Sequence, residues 1–61
     1  MNNNNALAQI RLLVAQQHPN WTNQQVVNFV NQILGNLTAA GWTINAATDH
    51  MLQILLLVYH N

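Results

Sequence analysis

Apolar residues return along this chain at helical intervals in three separate stretches. In the first, over about 5–17, Ala6, Leu7, Ile10, Leu13 and Val14 fall within one broad arc when the chain is wound at about 100° per residue. Gln9 and Gln16 lie opposite, and Leu12 falls outside the stripe. Pro19 disfavours helical geometry at His18 and sets the stop. In the second stretch, over about 23–40, Val26, Val27, Phe29, Val30, Ile33, Leu34 and Leu37 cover an arc of roughly 160°. That is wider than one contact stripe and fits a helix that touches two neighbours. In the third, over about 46–60, Ala47, Met51, Ile54, Leu55 and Val58 form the inward face, with Leu52 and Tyr59 on one flank. Leu56 and Leu57 carry apolar surface almost all the way round, leaving Asp49, Gln53 and His60 as the polar strip.

Local signals fix the ends of these segments. Thr22 followed three residues later by Gln25 fits a capping box, and Trp21 before the cap can pair with Val26 as a hydrophobic staple. Gly41 supplies the left-handed residue of an end cap, from which Trp42 can fold back on Leu37. Thr43 or Asn45 caps the third segment. Gly35, on the polar side of the second helix, marks a kink, a close approach from another chain, or nothing. Connections as short as about 18–22 and 41–45 favour antiparallel neighbours. The expected fold is therefore all-α, a single domain over 1–61 folded as a small up-down-up three-helix bundle. A third helix apolar on most of its circumference needs cover that two neighbours do not provide, so self-association through it is expected.

Composition changes the picture more than any motif does. Arg11 and Asp49 are the only formally charged side chains, while eleven Asn and seven Gln stand where a helical protein normally carries Glu, Asp and Lys. Ordinary usage puts roughly a quarter of residues in the charged set. Like charge is what largely keeps proteins apart in solution, so a net charge of zero favours association. A single Arg cannot neutralise the several phosphates from which nucleic-acid binding draws its affinity, and no nucleic-acid partner is expected. Nor is a membrane partner, because the apolar run from Ile54 to Tyr59 is far short of the roughly 20 residues that cross a bilayer. The polar start Met1-Asn2-Asn3-Asn4-Asn5 lacks the basic region of a secretory signal, which reads as a soluble chain with nothing removed from its front. Cysteine is absent, which removes disulfides and thiolate sites and leaves the compartment unread.

Candidate chemistry is sparse. His18 and His60 close the first and third helices at the same end of an up-down-up bundle, and they are the candidates for a metal site. His50 lies at the other end, and no two histidines have the i, i+4 spacing that prepares a helical site, so no metal and no cofactor are expected. Asp49 and His50 point about 100° apart as helical neighbours and form no dyad. Ser and Cys nucleophiles are missing, and one carboxylate excludes paired acid and base work within one subunit. A domain this small also lacks the volume of a typical ligand pocket, about 300–1,000 Å³. Asp49 is expected in the first turn of the third helix, where it would complement the dipole, and at a height that allows a structural ion pair with Arg11. Asn20-Trp21-Thr22 and Asn36-Leu37-Thr38 match the glycosylation sequon, as chance provides in a chain so rich in Asn. Trp21 and Trp42 flank the second helix and are read as edges of the core.

The stretch Pro19-Asn20-Trp21-Thr22-Asn23-Gln24-Gln25, continuing through Phe29 and Ile33, resembles the second helix of immunoglobulin-binding three-helix domains of the protein A type. The likeness covers under a third of the chain. The aromatic pair those domains use on the first helix is replaced by Leu12, Leu13 and Val14, so their binding function does not carry over.

Reading Asn23, Gln24, Gln25, Asn28, Asn31 and Asn36 back as acids gives a sequence locally better suited to helix starts and helix surface, and strongly acidic like proteins of salt-loving organisms. The expectation is a non-catalytic helical scaffold, an engineered or designed charge-depleted domain that associates as a dimer or higher homo-oligomer. Its interface would take in Leu12, Leu56, Leu57 and His60. The competing account is a small natural interaction module that docks a heterologous partner helix on Leu12, Leu56 and Leu57, and a histidine metal-binding bundle is a third.

Overall fold

The computed structural model describes residues 4–59 and comprises three helices, α1 (Asn4–Gln17), α2 (Asn23–Ala39) and α3 (Ile44–Tyr59). Each helix packs on both others, and the short turns between them close the chain into the expected up-down-up three-helix bundle. Entry into α2 is set locally. Thr22 Oγ1 accepts the Gln25 N–H at 3.2 Å while Gln25 Oε1 accepts the Thr22 N–H at 2.8 Å, so both halves of the capping box form. Thr22→Ala is expected to lower stability by about 0.5–2 kcal/mol. A denaturation midpoint that fails to move, at constant slope, would remove the cap from the account of folding.

The exit from α2 is also local. Ala40 is the C-cap and Gly41 takes φ of 109°, a region that side chains with a Cβ rarely adopt. The Gly41 and Trp42 N–H groups then donate to the carbonyls of Thr38 and Leu37, each at 3.1 Å, which are the two bonds of a Schellman motif. α3 begins at Ile44, two residues before the apolar period indicates. The cap is Thr43 rather than Asn45, with its Oγ1 accepting the Ala46 N–H at 3.2 Å and its carbonyl the Ala47 N–H at 2.9 Å. This earlier start moves Asp49 into the second turn. The first turn of α3 carries no acid, and the dipole role expected of Asp49 does not hold.

Seven apolar side chains make the core: Ile10 and Val14 from α1, Val26, Val30 and Leu34 from α2, and Ala47 and Met51 from α3. Within each helix they recur every four residues, a single ridge turned to the centre. α1 packs most extensively on α3, and the small, fully buried Ala47 permits that approach. Thr48 is buried beside it at no polar cost, because its Oγ1 donates to the Ile44 carbonyl at 2.7 Å. Leu7, Trp21, Ile33, Leu37, Leu52 and Leu55 surround this core half-buried.

Three residues assigned to inward arcs stand exposed instead: Phe29, Ile54 and Val58. Val58 lies only about 20° from Met51 around the helix, yet it is 61% exposed where Met51 is 5%. The direction was right and the depth was not, because full burial on α3 ends at Met51 and beyond it only Leu52 and Leu55 pack partly against the core.

Gly35 neither breaks α2 nor meets another part of the same chain. α2 runs unbroken through it, and a Cβ placed there meets nothing within 4 Å. Gly35→Ala is therefore expected to stabilise the fold by about 0.5–1 kcal/mol, through the lower backbone entropy of the unfolded chain. Thermal melting checks this, and a loss of stability would mean that another copy packs against that face.

Candidate functional site

The uncovered part of α3 is the most prominent surface of the bundle. Beyond Met51 the helix reads Leu52-Gln53-Ile54-Leu55-Leu56-Leu57-Val58-Tyr59, and of its apolar members only Leu52 and Leu55 are half-buried. Leu57 is 71% exposed and Leu56 41%. These side chains alternate around the helix at about 100° per residue, so the patch wraps α3 rather than forming a single stripe. On its α2 side it borders a groove of about 230 Å³, lined by Phe29, Ile33 and Leu37 from α2 and by His50, Ile54 and Tyr59 from α3. Leu12, expected in the same interface, is 58% exposed but sits on α1. His60, expected both as an interface residue and as a metal ligand, lies outside the described residues.

The histidines within the described residues are packed on indoles. His18 stacks on Trp21 with centroids 3.8 Å apart and planes 11° from parallel, and Phe29 meets Trp21 at 5.4 Å and 67°. At the far end of α2, His50 lies 4.5 Å from Trp42. His18 and Trp21 share the turn between α1 and α2, while Phe29 joins them from α2 and the Trp42–His50 pair links a turn to α3, so periodicity along one helix reveals neither arrangement. Among the described residues no three His, Cys, Asp or Glu side chains come together as a metal site.

Beside the His18–Trp21–Phe29 cluster is a second, shallower depression of about 340 Å³, lined by Trp21, Gln25, Asn28, Phe29 and Gln32. It is open to solvent over most of its extent, unlike the enclosed clefts that hold small ligands. The sequence signal that could have found it is a tryptophan before an N-cap followed by amides and an aromatic at i, i+3, i+4 and i+7 along one helical face.

Arg11 is half-buried, and its Nε is enclosed without a hydrogen-bond partner. It is the eighth residue of α1 and Asp49 the sixth of α3, which keeps them at similar heights in the bundle. A structural pair between them predicts coupling at or below about 1 kcal/mol in a double-mutant cycle if the pair is solvated. Strictly additive losses would show that the two charges act independently.

The arrangement can bury apolar surface against another molecule. No described helix is long and apolar enough to cross a membrane. Compared with known proteins, the chain matches no family model, no curated protein and no solved structure.

Proposed function

We propose that this chain is a non-catalytic interaction domain that acts as a self-associating scaffold, two copies pairing through the C-terminal half of α3. The observation that carries this reading is the exposure of Ile54, Leu56, Leu57 and Val58 next to one another on one helix. Contiguous apolar patches on small monomers are uncommon and commonly mark binding surfaces. A second copy is the favoured occupant because two charged residues in the whole chain provide almost no repulsion between copies and almost no field to steer a charged partner. An isologous pairing also closes on itself. Substitution of amides for acids, by engineering or design, accounts for both the composition and the ease of association. Light scattering behind size exclusion, run against protein concentration, tests the pairing directly.

Leu12 supports a second reading. It is strongly exposed on α1, and a dimer confined to α3 leaves it uncovered. A natural module docking a partner helix would engage Leu12 together with Leu56 and Leu57. Retention of a specific heterologous partner from a native extract, lost on Leu12→Gln, favours that reading over the scaffold.

A further inference from the structure

The groove between α2 and α3 lies on the same side of α3 as the most exposed leucine of the chain. Ile54 forms part of the α3 wall, and Leu57 follows three residues on, about 60° away round the helix. Leu57 does not line the groove of its own copy, and its spacing puts it at the outer edge, 71% exposed. Leu56, by contrast, lies about 160° from Ile54, on the other side of α3. The groove measures about 230 Å³. An apolar void of about 150 Å³ already admits a benzene-sized group, so a leucine side chain fits. Phe29, Ile33 and Leu37 form the α2 wall, and His50 and Tyr59 supply the only side-chain nitrogen and oxygen atoms of the lining. With no formal charge among them, these residues suit an uncharged aliphatic group and offer a charged one no counterpart.

A projection and a recess on one side of one helix are what a two-fold contact needs. Each copy then inserts and receives at once, and the pair closes, whereas the same two features on opposite faces would propagate an open chain of copies. Area points the same way. The exposed apolar residues of α3 supply roughly 400–500 Å² per copy, so pairing through α3 alone falls short of the about 1,200–2,000 Å² of a standard specific interface. Further cover has to come from an adjoining apolar surface, and Phe29, Ile33 and Leu37 adjoin it across the groove. We propose that the groove between α2 and α3 receives the Leu57 side chain of a second copy, reciprocally, so that the interface is built from both helices of both copies. This inference rests on the pairing proposed above. It adds the α2 wall to the interface and makes Leu57, not Leu56, the residue that holds the pair together.

The test uses the full chain, and light scattering against concentration first reports whether it pairs. Equal amounts of ¹³C-labelled and unlabelled chain are then unfolded together and refolded, and contacts between copies are read by isotope-filtered NOE spectroscopy. The Leu57 methyls are expected to contact the Phe29 ring and the Ile33 methyls of the other copy. Leu57→Gln should weaken dimerisation about a hundred-fold, because each dimer loses two buried leucines. Leu56→Gln should weaken it by less than about five-fold, as for a surface change in each copy. Neither leucine belongs to the buried core, and the NOE measurement on the wild type does not depend on either variant. A wild type that pairs with Leu57 touching only α3 of the other copy overturns the groove and leaves the pairing through α3 standing. So does a dimer that depends on Leu56 as strongly as on Leu57. A wild type that stays monomeric to millimolar concentration overturns both.

Discussion

Ile10→Ala should leave the chain largely unfolded at 25 °C, seen as loss of most of the helical circular dichroism. Ile10 is fully buried and belongs to the ridge that α1 turns to the centre, with Val14 one turn on. Truncating a buried isoleucine to alanine costs about 2–5 kcal/mol, the transfer term plus the cavity left behind. A core of this size supplies only about 3–5 kcal/mol in total, and no disulfide exists to raise that figure. The cavity also has little chance of collapsing, since the same position is enclosed by two other helices. Ile10→Val gives the graded control and should cost about 0.5–1.5 kcal/mol while keeping the fold. If Ile10→Ala melts like the wild type, the core is placed wrongly.

The parts of this fold that could be read in advance are those whose physics is confined to a few consecutive residues. Thr22 with Gln25, and Gly41 with its neighbours, each close hydrogen bonds over six residues or fewer, and both ends of α2 formed as read. Helical periodicity likewise gave the direction of every buried side chain from α1 and α2. It could not give depth, because how far a neighbouring helix extends over a given turn is a tertiary quantity. Val58 therefore has the azimuth of a core residue and the exposure of a surface one. Thr48 shows the opposite error. A hydroxyl reads as a surface group, yet its bond to the Ile44 carbonyl satisfies it in the core, and that bond depends on where α3 starts. Thr43 rather than Asn45 decided that start, which also displaced Asp49 from the first turn.

The candidate surfaces divide in the same way. An uncovered third helix was legible from Leu56 and Leu57, since no arc of a small bundle buries a helix that is apolar all round. The packing of Phe29 from α2 on the Trp21 indole, and of His50 from α3 beside Trp42, was not legible, because each joins a turn to a helix; the stacking of His18 on Trp21 is local to one turn and depends on side-chain rotamers that periodicity does not report. Of the two histidines read as possible ligands, His18 stacks on Trp21, and His60 lies outside the described residues.

Replacing Leu56 and Leu57 together by Gln should convert a dimer into a monomer. The exposed portions of Ile54, Leu56, Leu57, Val58 and Tyr59 come to roughly 400–500 Å² per copy, so symmetric pairing that covered all of them would bury at most about 1,000 Å², the lower edge for a specific interface. Leu57 is the most exposed of them, and Leu56 lies about 100° away on the same turn, so the double substitution removes apolar cover from two sides of α3. Neither residue belongs to the buried core, which separates the interface from the fold. Melting temperature of the wild type should rise with protein concentration, as for any fold linked to assembly, and that dependence should vanish in the variant. Helix content kept in the monomeric variant would show that the seven-residue core suffices for folding. Helix content lost would show that the second copy is part of it. A wild type that stays monomeric to millimolar concentration ends the pairing hypothesis and leaves Leu12, Leu56 and Leu57 to a heterologous partner, for which Leu12→Gln is then the decisive substitution.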